Sequence, residues 1–324
     1  MYASFAVYLY QPHFKHFNRL QYLLVVNVCL ASLGCFVLSR RWVSAFWASF
    51  FAGAIYGFGP FALGLANFHP TAGLLAATIP WLFCPAAFGP KARWRWVSWP
   101  LSALPFLAIL LFFQVSIPYR LFAVWTQAKL HLGDLLGLIA PFYLAQRNIT
   151  ATLVGVYHIP IAALLMGFSM LLAARRLGII TIFALGIVLA CCRSFLSVSP
   201  VMWLTIPVLC CSILVGAGMQ GLASAGFADR RWVLVTAIIM GVLAIVTLLL
   251  AIKCYQIFAG LGRGYAKLFI YSAEMYIFGA IAVAIIFFMA RAKLRIAPLR
   301  WVILCSAMAV DIFLVATFIV DRIL

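Results

Sequence analysis

Residues 230–253 read RRWVLVTAIIMGVLAIVTLLLAIK. Two arginines and a tryptophan open the stretch. From Val233 to Ile252 no charge appears, and Thr236 and Thr247 are the polar side chains among aliphatic ones. A helix over that run covers about 30 Å, the thickness of the hydrocarbon core of a bilayer. It is apolar on every side, so it has no face to offer water. Its solvent is lipid.

The same pattern recurs along the chain. Of 324 residues, 67% are hydrophobic and 9% charged, where a soluble domain carries about 25% charged residues. Runs of spanning length fall at 20–39, 43–66, 71–89, 97–117, 151–173, 177–193, 200–226, 232–252, 268–290 and 299–320. The expected fold is all-α: a polytopic transmembrane helix bundle of about ten spans. A further run at 132–145 is short and carries Pro141, which suits a re-entrant or interfacial helix. No connection is long enough to fold by itself, so 20–324 reads as a single membrane-embedded domain. Residues 1–19 interleave aromatics with His13, Lys15 and His16 and read as an interfacial segment leading into an uncleaved first span.

The charge is lopsided, with 23 Lys and Arg against five acids, net +18. In a soluble chain this would suggest nucleic acid. Here the cations cap apolar runs, so the expected partners are membrane lipids, with anionic head groups at the basic loops, and not nucleic acid. Arg-Trp-Val occurs four times, at 41–43, 95–97, 231–233 and 300–302, each time opening an even-numbered span. Ten spans put thirteen basic residues on that side and ten on the other. The positive-inside rule then makes the Arg-Trp-Val side cytoplasmic and both termini non-cytoplasmic, in a bacterial inner (plasma) membrane.

Ionisable groups within spans are expensive and are functional candidates for that reason. Glu274 in the ninth span and Asp311 in the tenth are expected at similar depth, where two carboxyls could share a proton. Arg193 and Gln114, at outer ends of spans, join them as a candidate substrate or proton pathway. Asn27 and Gln220 read as interhelical hydrogen-bond partners. His131 and Asp134 stand three apart, a spacing that suits a His–carboxylate general base. Nine cysteines lie mostly inside apolar runs, where a thiol packs as a small hydrophobe. No spacing points to a metal site, and no motif to a cofactor.

These groups favour a transporter or flippase of a small or amphipathic substrate, with proton coupling through the carboxyls. The alternatives are an intramembrane enzyme acting on a lipid or lipid-linked sugar through His131 and Asp134, and a non-catalytic subunit of a membrane complex.

Overall fold

The computed structural model describes residues 1–17, 21–68, 70–88, 158–173, 177–192, 199–226, 229–257, 262–292 and 297–323. Within them the helices are α1 (Tyr2–Tyr10), α2 (Tyr22–Ser39), α3 (Phe46–Gly57), α4 (Pro60–Phe68) and α5 (Pro70–Phe88). They continue as α6 (Pro160–Ala173), α7 (Leu177–Cys191), α8 (Thr205–Ser224), α9 (Arg230–Ile257), α10 (Gly262–Arg291) and α11 (Ala297–Ile323). Short 3-10 turns at Gln11–His16 and Pro200–Leu204 follow α1 and precede α8.

Among the described residues six stretches are long and apolar enough to cross a membrane: Tyr22–Ser39, Phe46–Ala66, Pro200–Ser224, Arg230–Lys253, Ala266–Arg291 and Ala297–Asp321. Three shorter apolar helices, Ala72–Cys84, Pro160–Leu172 and Ile179–Cys191, coincide with other expected spans. The run at 97–117 and the re-entrant candidate at 132–145 lie outside the described residues. Among the described residues the helical bundle has six candidate spans, so the bundle is observed but not the count of ten expected from hydropathy.

One run expected as a single helix is interrupted. The run 43–66 breaks at Phe58 and Gly59, between α3 and α4. Pro60 has no N–H to continue the ladder, and the glycines on either side of Phe58 tolerate the bend. The Phe58 amide closes α3 on the Ala54 carbonyl at 2.8 Å, and Leu63 reopens the ladder on Gly59 at 3.0 Å. The described part of 151–173 begins with a turn at His158 and Ile159, and α6 starts at Pro160, a residue suited to the first helical position.

The end of α8 organises one pole of the bundle. Gln220 accepts hydrogen bonds from the amides of Ser44 and Ala45 at 2.9 and 3.2 Å, capping the start of α3 from outside. Arg300 donates through Nη1 to the Ala225 carbonyl at 2.6 Å, tying α11 to the same place. α9 begins five residues further on, where Asp229 accepts from Trp232 at 3.0 Å. The three described Arg-Trp-Val copies thus share one end. Arg41 and Arg231 are exposed there beside exposed Trp42 and Trp232, as lipid-facing anchors should be. Arg300 instead turns inward and is buried, because the open end of α8 offers it a carbonyl.

α6 and α8 cross with no side chain between them. A Cβ on Gly167 would collide with the Leu214 carbonyl, and one on Gly218 with the Ala163 carbonyl. Toward the Arg-Trp-Val pole Ala163 beside Gly218 is followed by Met170 beside Gly221, so the two run parallel. Both end at the Arg-Trp-Val pole. α6 has 14 residues, about 21 Å at the helical rise, so it starts partway through the bundle rather than at its far end.

The N-terminal segment lies along the bundle. Tyr2 donates to the Phe50 carbonyl at 2.6 Å and stacks on the Phe50 ring at 4.7 Å. Phe5 meets Phe58 at 4.5 Å, and His13 lies 3.1 Å from Asp321 at the last turn of α11. On the outside, Ile238, Val242, Ile245, Leu249 and Ile252 form an exposed stripe along α9. In water that stripe would be a liability; in a bilayer it is the solvent-facing surface.

Candidate functional site

The site is built where α6 begins. Asp311 lies near the middle of α11, fully buried, with 0% of its surface exposed. Its Oδ2 accepts the Ile159 amide at 2.8 Å, and its Oδ1 lies 3.2 Å from His158 Nδ1. The other ring nitrogen, Nε2, is 3.1 Å from Ser272 Oγ on α10. His158 and Ser272 are 1% and 0% exposed. Carboxylate, imidazole and hydroxyl therefore form one continuous hydrogen-bonded chain across α11, the start of α6, and α10.

The first amides of a helix have no partner within it and carry a positive partial charge. At a helix end exposed to water, solvent or a local Ser or Asp would satisfy them. α6 starts inside the bundle, and a carboxylate from a distant helix does that work. Ile159 also packs at Gly279 of α10, where a Cβ would stand 3.5 Å from Ile159 Cγ1. That places the α6 start beside the middle of α10.

The chain of groups holds protons in two arrangements without moving heavy atoms. With a neutral ring, Nδ1–H donates to Asp311 and Nε2 accepts the Ser272 hydroxyl proton. With a cationic ring, both nitrogens donate, and Ser272 turns its proton elsewhere. The rings of Tyr276 and Tyr271 stand edge-on to the imidazole at 5.1 and 6.0 Å and close the apolar wall around it. The order of groups is that of a serine hydrolase triad. Ser272, however, is fully buried in mid-helix with no surface for a substrate, and the nearest helix-terminal amide already serves Asp311. The arrangement is suited to holding and passing a proton, not to acyl transfer.

Of the sequence candidates, Asp311 is at this centre. Glu274 is on α10 but exposed, and it faces away. Two residues on a helix are separated by about 200°, so Ser272 pointing inward sends Glu274 outward. The two acids do not meet. Arg193, Gln114, His131 and Asp134 lie outside the described residues. Among the described residues, no three His, Cys, Asp or Glu side chains gather as metal ligands, and the cysteines are free thiols. Sequence reasoning missed His158 and Ser272. The available signal was a histidine two residues before a proline within an apolar run.

No family model, curated protein or solved structure matches this chain. The fold and the site together define a class: an all-helical integral membrane protein with an ionisable pair inside its bundle.

Proposed function

We propose that the protein is a membrane transporter or flippase for a small or amphipathic substrate, coupled to protons through His158 and Asp311. One observation carries this reading: the paired histidine and aspartate sit fully buried at a helix N-terminus within the bundle. Interrupted helices whose ends meet at depth are how membrane carriers build sites that change shape. Protonating Asp311 weakens its hold on the Ile159 amide, and that frees α6 to move relative to α10 and α11. Proton occupancy and helix position are then linked, which is what coupling requires.

The topology within this proposal has ten spans, both termini outside the cytoplasm of a bacterial plasma membrane, and head groups held at the Arg-Trp-Val pole. Support comes from the shared end of the three described copies, the parity that ten spans require.

The test is reconstitution into liposomes carrying NBD-labelled phosphatidylglycerol, read by dithionite quenching, with and without an imposed pH gradient. A parallel arm follows uptake of ethidium, a small amphipathic cation. Gradient-dependent movement of either probe, lost in Asp311→Asn, is expected. Wild-type vesicles no faster than protein-free ones with both probes would overturn the proposal.

A further inference from the structure

Glu274 occupies an expensive position. It lies eight residues into the candidate span Ala266–Arg291, about 12 Å from its outer end. Its neighbours on the exposed face are Ile270, Ile277, Phe278 and Ile281, each between 42% and 54% exposed. A carboxyl on a lipid-facing stripe is stable only when neutral or paired. Among the described residues no side chain bonds to it.

Tyr271 stands one turn earlier on α10. Around the helix axis, Glu274 is about 60° to one side of Tyr271 and Ser272 about 100° to the other. Tyr271 therefore lies between the outward face and the face that meets His158. Its ring is 6.0 Å from the His158 ring. Its hydroxyl is buried and has no hydrogen-bond partner among the described residues, an arrangement that costs about 1–3 kcal/mol unless something else satisfies it. The imidazole it faces is the one that Asp311 meets at 3.2 Å.

We propose that Glu274 is a proton-binding carboxyl on the lipid-facing surface and that the Tyr271 hydroxyl links it to His158 and Asp311. Protons then enter the buried pair from the flank of the bundle, across α10, rather than along its axis. The other charged groups near this face are few among the described residues. Lys267 lies two turns toward the outer end of α10, α9 brings Lys253 near that same end, and α11 contributes Asp311 from the inner side. The inference rests on reading the His158–Asp311 pair as the coupling element.

The experiment labels full-length protein in phosphatidylcholine nanodiscs with a fluorescent, lipid-soluble carbodiimide. That reagent needs a protonated carboxyl: the carboxyl oxygen bonds the central carbon, the proton passes to one nitrogen, and the adduct rearranges to an N-acylurea with nothing released. The expected result is one label on the peptide holding Glu274, falling as pH rises and absent in Glu274→Gln. Asp311→Asn should keep the label but change its rate at fixed pH by at least threefold. Tyr271→Phe should erase that difference. Labelling only by a water-soluble carbodiimide, or a rate indifferent to pH or to Asp311→Asn, would overturn the proposal. Because the readout needs no transport, its failure is separable from a failure of the vesicle assays.

Discussion

Asp311 accepts the Ile159 amide at 2.8 Å across 152 residues of sequence, so the last helix supplies the missing cap of a helix laid down in the first half of the chain. Removing one partner of a buried pair leaves the other charged or unsatisfied, which costs about 3–5 kcal/mol. Asp311→Ala should lower the thermal midpoint of the detergent-solubilised protein far more than Asp311→Asn, since the amide oxygen still accepts from Ile159. Equal losses from both variants would separate the site from α6 stability. Movement of either vesicle probe should vanish in both.

The α6–α8 crossing gives a test of packing alone. A methyl group at Gly218 has no room beside the Ala163 carbonyl, and overpacking of this kind costs about 1–3 kcal/mol. Gly241 on α9 has nothing within 4 Å of a Cβ. Gly218→Ala should destabilise, whereas Gly241→Ala should be neutral or stabilise by up to about 1 kcal/mol through helix propensity. Unfolding in mixed detergent micelles measures both. A Gly241→Ala loss equal to that of Gly218→Ala would contradict the parallel crossing.

Gln220 replaces a local cap at the start of α3, where Ala45 has no side chain to offer. Gln220→Ala should cost about 1–2 kcal/mol, and Gln220→Glu, which keeps the acceptor, should recover most of it. The same measurement applies, and hydrogen exchange at Ser44 and Ala45 should quicken selectively in the alanine variant.

Arg300 makes a parallel prediction at the other side of that pole. Arg300→Met keeps the aliphatic stem but loses the donor to Ala225, for an expected loss of about 1.5–3 kcal/mol. Arg41→Met, on an exposed cation of the same tripeptide motif, should leave the thermal midpoint unchanged within error. A similar loss from both would mean that Arg300 too is a surface anchor.

The membrane class was legible because hydropathy is local: twenty uncharged residues between Val233 and Ile252 leave no other solvent. Asp311 was legible as an acid inside an apolar run. Its partner was not. His158 is 153 positions away, and nothing in the neighbourhood of either residue encodes the other. Ser272 could not be told from any small residue lining a helix contact. The opposite exposure of Glu274 and Asp311 was hidden for a simpler reason. Depth along consecutive spans can be counted, but the rotation of α10 that turns Ser272 inward and Glu274 outward is set by packing against its neighbours. The break at Phe58 was written in Gly57, Gly59 and Pro60, yet the apolar length of 43–66 outweighed it.

The long-range cap also constrains biogenesis. Helices enter the bilayer in the order they are translated, so the Ile159 amide waits for its carboxylate until α11 arrives. Until then that end is a weak point in an oily environment, open to water, to lipid head groups or to quality-control proteases. α11 acts as a keystone: its insertion finishes a joint left open since residue 159, and a chain truncated before Asp311 would carry an unlocked α6 however well its other helices had assembled.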